Sequence, residues 1–200
     1  MALSSYDDLV SSIQNWMFDR PDLASMCGDF IALAEADMNQ KLRTRNQLKT
    51  AALTVDGVGK ASLPSDYLSF RQVTMSNDPN RNLELVVPPF SLGHISGLPR
   101  YFSIDGGTMS VMPASSDGVQ FSYYAKIPPL SQSNQTNWLL EKAANLYLYG
   151  SCKHAGIFMG DETRTQAMGN MFASVLGDFL ASEELAMYSR VSMRASGPTP

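Results

Sequence analysis

The longest apolar stretch of the chain reads Asn137-Trp-Leu-Leu-Glu-Lys-Ala-Ala-Asn-Leu-Tyr-Leu-Tyr-Gly-Ser-Cys-Lys-His-Ala-Gly-Ile-Phe-Met159. Its large side chains fall on most faces of a helix and not on one stripe, which is typical of a helix enclosed by other elements. Thr136 or Asn137 can cap its first amides. Gly150 and Gly156 allow a neighbouring backbone to approach closely. The stretch therefore predicts a buried central helix.

A second helix is predicted directly after this stretch. Gly160 suits the left-handed position that ends a helix, and Asp161 is a natural N-cap for the next one. Large apolar residues then recur at spacings of three and four, at Met168, Met171, Phe172, Val175, Leu176, Phe179 and Leu180. We expect all seven to be buried against 137–159, each contributing roughly 1.5–3 kcal/mol. The two helices then form a hairpin whose other, polar face is in water.

Two shorter helices are predicted near the N-terminus. Ser4 or Ser5 can cap the first, which runs to about Phe18. Pro21 then interrupts the pattern, because the residue before a proline avoids helical backbone angles. The second helix ends near Arg43. Their apolar stripes are Leu9, Ile13, Trp16 and Met17 in the first, and Phe30, Ile31, Ala34, Met38 and Leu42 in the second.

Three cations, Lys41, Arg43 and Arg45, cluster where the second helix ends. Cations at a helix C-terminus interact favourably with the helix dipole, by roughly 0.3–1 kcal/mol each. We favour this stabilising role over contact with nucleic acid, which is the alternative.

The stretch from residue 49 to residue 126 has the composition and the closely spaced turn signals of a β region. Short segments rich in β-branched and aromatic residues alternate with turn signals such as Asp105-Gly106-Gly107. Strands are predicted at 52–55, 67–75, 83–87, 100–104, 109–112 and 119–124, with a short helical turn at 89–95. The segment Gly57-Val-Gly-Lys60 lacks the first glycine and the final Ser/Thr of a phosphate-binding loop, so it predicts a turn.

The chain is therefore predicted to be an α+β protein, mainly a helical bundle with an inserted small antiparallel β-sheet region. The bundle comprises residues 1–47 and 131–188, and the insertion residues 48–130. Residues 189–200 are small, polar and mildly basic, which predicts a flexible C-terminal tail.

Composition excludes several classes of function. The net charge of −4 argues against general affinity for the nucleic-acid backbone, which requires a surplus of cations. The N-terminus resembles no signal peptide, and no apolar run reaches the roughly 20 residues of a membrane span. The two cysteines, Cys27 and Cys152, lie in separate helices and indicate a reduced, cytosolic origin. We expect no membrane contact.

Catalytic and cofactor chemistry has few candidate residues in this sequence. Its two histidines, His94 and His154, offer little for metal coordination, and no paired cysteine motif accompanies them. The acidic pairs Asp7-Asp8 and Asp161-Glu162 sit at helix starts, where the helix dipole accounts for them. We expect neither catalysis nor a cofactor or metal.

Four stretches resemble the head-to-tail adaptor, or head completion, proteins of tailed bacteriophages. They are Asn137-Trp-Leu-Leu-Glu-Lys with Leu146-Tyr-Leu-Tyr-Gly150, Leu33-Ala-Glu-Ala-Asp-Met-Asn39 with Leu42-Arg-Thr-Arg45, Leu63-Pro-Ser-Asp-Tyr-Leu68, and Tyr123-Tyr-Ala-Lys-Ile-Pro128 with Leu130. They follow the family's order and cover most of residues 30–180. One departure is Ala144-Asn145, where relatives often have proline and aspartate, and it bears on the start of a helix.

The resemblance implies a structural virion protein at the head-tail junction, made in the host bacterial cytoplasm. It implies a dodecameric ring of identical subunits that binds the portal, extends the DNA channel without sequence-specific DNA binding, and docks a tail, nozzle or stopper protein. Two alternatives are a stopper or tail-completion ring protein of the same junction and a small phage enzyme.

Candidate contact residues follow from the same comparison. In several relatives the C-terminal segment becomes ordered against the portal, so the basic and apolar residues of the tail are portal-binding candidates: Arg190, Val191, Met193 and Arg194. A frayed end without a role is the other interpretation. Arg43, Arg45 and Asp161, at the helical ends, are candidates for a subunit or portal contact.

Overall fold

The computed structural model describes residues 3–18, 21–87 and 97–188. The chain divides into two compact units. The helical unit comprises residues 1–46 and 127–200, and the β unit comprises residues 47–126. The chain is thus α+β, with four α-helices and two small sheets in the part that is described.

Helix α3 forms the centre of the helical unit and packs against each of the other three helices. Leu146, Tyr147 and Cys152 of α3 are fully buried. The apolar character of 137–159 on most faces is therefore explained by burial on most sides, as predicted. The α-helices are α1 (Tyr6–Trp16), α2 (Cys27–Lys41), α3 (Trp138–Met159) and α4 (Glu162–Tyr188), with 3₁₀ turns at Pro21–Met26 and Arg45–Gln47.

The helix boundaries follow the predicted capping residues. The Ser5 hydroxyl accepts a hydrogen bond from the Asp8 amide at the start of α1. The Asn137 side chain accepts hydrogen bonds from the amides of Leu139 and Leu140 at the start of α3. Gly160 adopts the left-handed conformation, with φ of 69°, between α3 and α4. These caps confirm the predicted helix starts and the hairpin turn.

A kink interrupts α3 one turn after it begins. Ala143 has non-helical backbone angles, φ −147° and ψ 59°. The helix resumes at Ala144 and Asn145, and the Asn145 side chain accepts a hydrogen bond from the Leu146 amide. Ala144-Asn145, where relatives often have proline and aspartate, thus begins the second segment of α3. This agrees with the expectation that the position bears on the start of a helix.

Close helix packing depends on the two predicted glycines of α3. A Cβ on Gly150 would lie 3.0 Å from the Ala34 Cβ of α2, and one on Gly156 would lie 2.7 Å from the Thr165 Oγ1 of α4. Real Cβ atoms tolerate neither spacing easily, so these positions set how closely α2 and α4 approach α3.

Helix α4 is less buried than its apolar stripe predicted. Only Phe172 and Leu176 of the seven residues are buried, and Met171 is 46% exposed. The other four, Met168, Val175, Phe179 and Leu180, are partly buried against the core. The prediction of seven buried side chains was wrong because four of them contact the core with only part of their surface and Met171 lies outside it.

The β unit encloses a second hydrophobic core between its two sheets. One sheet has the strand order β1-β7-β3 and the other β2-β6-β5-β4. Phe102, Met109 and Phe121 are among the most buried side chains of this core. The strands are β1 (Leu48–Leu53), β2 (Lys60–Ser62), β3 (Tyr67–Met75), β4 (Glu84–Leu85), β5 (Tyr101–Asp105), β6 (Thr108–Met112) and β7 (Val119–Ala125).

The strand predictions were correct for β3 and nearly so for β5, β6 and β7. Strand β1 begins and ends earlier than the predicted 52–55, β2 was not predicted, and β4 pairs with β5 in parallel. The turn before β2 is held by the Asp56 carboxylate, which accepts hydrogen bonds from the amides of Val58 and Lys60. The helical turn predicted at 89–95 lies outside the described residues.

Candidate interaction surfaces

A cleft opens beside the C-terminal end of α4. Its volume is about 340 Å³. The two apolar residues of its lining come from α4, and the charged ones come from α4 and from the chain that follows α2. The lining residues are Arg43, Thr44, Leu180, Glu183, Glu184 and Met187.

Glu183 is the buried charged group of this cleft, with only 9% of its surface exposed. Lys142 of α3 donates a hydrogen bond to Oε1 of Glu183, at 3.2 Å. The Nε of Arg45 lies 3.6 Å from Oε2, which accepts no hydrogen bond. Arg43 directs its guanidinium to the backbone carbonyl oxygens of Asn39 and Leu42 instead. Both oxygens of this buried carboxylate are therefore paired with cations, Oε1 with Lys142 and Oε2 with Arg45.

The structure separates the candidate contact residues predicted from the sequence. Arg43 and Arg45 lie at the cleft, whereas Asp161 lies before the opposite end of α4, roughly 33 Å from Glu183 along the helix axis. There Asp161 accepts hydrogen bonds from the Arg164 and Thr165 amides, which is the role of an N-cap. Arg190, Val191, Met193 and Arg194 lie outside the described residues. These follow directly after the α4 end that borders the cleft.

The outward face of α4 is nearly free of charge. Between Arg164 and Glu183 the helix carries a single charged residue, Asp178. Surface helices of soluble proteins normally carry charged residues on the solvent face. The exposed residues along this face are Ala167, Asn170, Met171, Ser174, Gly177, Asp178, Ala181 and Leu185. The sequence analysis predicted only that this face is polar and in contact with water. The absence of charged residues from 165 to 177 can nevertheless be read from the sequence.

Large apolar side chains are exposed at the end of the helical unit that holds the α3–α4 turn. Phe18 is 77% exposed, and Ile157 and Phe158 are 57% and 54% exposed. Phe18 has a positive φ of 62°, which is unusual for an aromatic residue. The guanidinium of Arg164 lies 4.0 Å from its ring centroid and covers one side of the ring.

A charged cluster between α2 and α3 is internally satisfied. Lys153 donates a hydrogen bond to Asp37, and the His154 Nε2 lies 3.0 Å from the same carboxylate oxygen. Burial alone would raise the pKa of Asp37, but these two partners outweigh it and lower the pKa. Burial and the neighbouring ammonium of Lys153 lower the pKa of His154. The cluster therefore joins α2 and α3, and His154 has a structural role in it.

A buried carboxylate holds the segment that leads into α3. Glu35 is 6% exposed and accepts hydrogen bonds from the Leu130 amide, at 2.8 Å, and from the Tyr147 hydroxyl, at 3.1 Å. Asn137 donates to the Tyr147 hydroxyl and to the Pro128 carbonyl. Burial raises the pKa of Glu35 to about 7, although the hydrogen bonds it accepts act to lower it.

Two kinds of site are not found in the part of the chain that the structure describes. No group of three or more His, Cys, Asp and Glu side chains within residues 3–18, 21–87 and 97–188 is arranged to hold a metal ion. In the same ranges, every helix is too short or too polar to cross a membrane.

Comparison with known proteins identifies the family. No curated protein matches the chain. The profile of the SU10 adaptor protein family matches residues 4–195, which include both the helical unit and the β unit. Its members are structural phage proteins with a place between portal and tail. The chain therefore belongs to the SU10 adaptor family of phage head-to-tail adaptors.

Proposed function

We propose that this chain is a structural virion protein that forms a dodecameric ring at the head-tail junction. In this ring the helical units, each a helical bundle, pack side by side. The ring as a whole binds the portal. The ring extends the DNA channel and offers a docking surface to a tail, nozzle or stopper protein. The family match over residues 4–195 is the observation that carries the proposal. The net charge of −4 suits a channel along which DNA slides without sequence-specific binding.

The outward face of α4 is the surface that best fits a neighbouring subunit in such a ring. A single exposed charge, Asp178, interrupts it between Arg164 and Glu183, so little charge must be removed from water when it is covered. Small residues such as Ser174 and Gly177 allow a neighbouring element to approach closely. A ring needs two different, complementary surfaces on each subunit. We propose the exposed apolar group of Phe18, Ile157 and Phe158 as the second surface.

We expect the free protein to be mainly monomeric. A face about 27 Å long and about 10 Å wide covers roughly 270 Å², about a third of what one partner buries in a stable interface. Assembly then depends on the portal as a template that holds neighbours together. Sedimentation velocity across micromolar concentrations measures this. A closed ring that persists without portal would contradict the expectation.

The residues after Tyr188 are proposed to bind the portal through Arg190, Val191, Met193 and Arg194. We expect deletion of residues 189–200 to preserve the cooperative melt of the helical unit, with a shift of no more than a few degrees. Portal binding should weaken at least tenfold, which corresponds to about 1.4 kcal/mol. The matched control is deletion of residues 195–200 alone, which keeps all four proposed contact residues. Equal portal binding by the deleted and the complete chain would assign the contact to other surfaces, such as that around Arg43.

Electron microscopy of the assembled phage particle tests the function as a whole. An adaptor lies directly against the portal, whereas a stopper or tail-completion protein is separated from it by another ring. Density for this chain in contact with the portal supports the adaptor assignment, and density only beyond a second ring overturns it.

A further inference from the structure

Phe18 combines exposure and backbone strain in a way that a free subunit does not need. Its side chain is 77% exposed, it has a positive φ of 62°, and it follows directly after Met17, the C-cap of α1. Glycine adopts this left-handed conformation without strain, whereas a residue with a Cβ is strained there. A glycine at position 18 would therefore end α1 equally well and expose less apolar surface.

Arg164, in the first turn of α4, covers one side of the Phe18 ring and fixes its position. Its Nη1 donates a hydrogen bond to the Trp16 carbonyl oxygen at 2.9 Å, and its Nε lies 3.7 Å from Oδ2 of Asp161. The guanidinium thus held lies 4.0 Å from the centroid of the ring. An exposed contact of this kind contributes little stability. Its main effect is to hold an exposed aromatic side chain in one orientation.

Gly177, in the outward face of α4, is a second position that weakens the free subunit. A glycine in the interior of a helix is less favourable than alanine. Gly150 and Gly156 of α3 are needed because a Cβ there would meet neighbouring atoms at 3.0 and 2.7 Å, but a Cβ on Gly177 would meet nothing within 4 Å. Close packing inside the subunit therefore does not explain this glycine.

We propose that Phe18 is the anchor of the contact between subunits, held in place by Arg164, and that it packs over Gly177 of a second copy. This inference rests on the proposed ring and specifies its contact. Exposed, pre-positioned aromatic side chains are typical of the residues that dominate protein interfaces. An exposed glycine, in a face without charge from residue 165 to 177, lets such a ring lie directly on the helix backbone.

The positions of the two residues favour a second copy as the partner. Arg164, which holds the anchor, and Gly177 are about 20 Å apart along α4, so one subunit cannot bring the two surfaces together by itself. Neighbouring copies can, because the large side chain of one meets the small residue of the next. Such a contact is heterologous, as a closed ring requires.

Cross-linking between two single-cysteine variants of the complete chain tests the contact. Thr163→Cys lies beside the proposed anchor, and Ser174→Cys lies one helical turn before the proposed glycine; both native residues are exposed. At high micromolar concentration a short bis-maleimide should join the mixed variants about tenfold faster than either variant to itself, because only head-to-tail contact brings the two positions together. Cys27 and Cys152 react little because both are fully buried, and burial raises the pKa of both thiols.

Phe18→Gly separates a role in the contact from a role in the fold. Introduced into both cysteine variants, it should lower the cross-linking rate of the mixture about tenfold, because the anchor is lost. The melting temperature should stay the same or rise, because glycine relieves the left-handed strain. Val58→Ala, which removes a 70% exposed side chain from the β unit, should change neither quantity.

Gly177→Leu tests the receiving surface. It should lower the cross-linking rate to a similar extent, because the new side chain occupies the place of the ring. The melting temperature should rise by about 2–4 °C, because leucine favours the helix and has open space in its own subunit. The matched control is Ser182→Leu, an exposed position about 140° further around α4, which should leave cross-linking unchanged.

Arg164→Gln tests the positioning role. It should lower the cross-linking rate when Phe18 is present and add little in the Phe18→Gly background, because Arg164 acts through the ring. A role of Arg164 that is unrelated to the ring would lower the rate equally in both backgrounds.

Three results overturn the proposal. The first is equal cross-linking of the mixture and of the separate variants. The second is undiminished cross-linking with Phe18→Gly or Gly177→Leu. The third is a fall of more than a few degrees in the melting temperature of Phe18→Gly, which would assign Phe18 to the fold. No portal is present in these measurements, so this contact and portal binding can fail independently.

Discussion

Replacing Leu176 by aspartate unfolds the helical unit. Leu176 is 5% exposed and belongs to the core that α4 shares with α3. Losing a buried leucine side chain costs about 3–5 kcal/mol, and a buried carboxylate without a partner adds to this. That sum is comparable to the whole stability of a typical domain, about 5–15 kcal/mol. Circular dichroism at 222 nm during heating should show the helical transition lost or shifted to much lower temperature.

The matched control is Ser174→Asp, two residues earlier on the outward face of α4. Ser174 is exposed, so the new charge remains in water and the melt should be unchanged. In the proposed ring the same control should weaken assembly, because it places a charge in the subunit contact. A cooperative melt of Leu176→Asp near the wild-type midpoint would show that Leu176 lies on an assembly surface and not in the core.

Raising the pH from 4.5 to about 8 lowers the stability of the helical unit through Glu35. Burial raises the pKa of this carboxyl from 4.5 to about 7 in the folded protein. Between these values the folded state keeps a proton that the unfolded state has lost, so the free energy of unfolding falls as pH rises. The full effect is about 3 kcal/mol, present below pH 4.5 and lost above pH 7.

Urea denaturation at a series of pH values measures this contribution. Glu35→Gln should remove it while keeping an acceptor for the Leu130 amide, so the difference between the two proteins changes with pH. Asp29→Asn, an exposed change on the same helix, should follow the wild type. Parallel stability curves for wild type and Glu35→Gln would mean that Glu35 is ionised in the folded state throughout this range.

Local backbone chemistry made the helix boundaries predictable from the sequence. The Asn137 cap and the left-handed Gly160 depend on residues within a few positions of each other. The extent of burial along α4 could not be predicted in the same way. A stripe shows which side of a helix is apolar, but the exposure of Met171 depends on how α3 passes across it.

The candidate surfaces depended on contacts that are distant in the sequence. Glu183 meets Lys142 and Arg45 only because α3, α4 and the end of α2 converge, and no spacing rule joins these residues. Glu35 is not part of the predicted apolar stripe of its helix, yet it is buried and accepts hydrogen bonds from Leu130 and Tyr147. Strand β2 was missed because three residues are too few for an alternating pattern.

Pairing of the first and last strands of the β unit affects the order in which the chain can fold. Strand β1 pairs with β7 along its length, from Leu48 with Tyr124 to Leu53 with Val119. The two ends of about 80 residues are thereby held side by side within the β unit. Closing a loop of that length costs roughly 3 kcal/mol more than closing one of a few residues. A β unit that forms first therefore removes this entropic barrier and allows both halves of the helical unit to associate as though they were adjacent in the sequence.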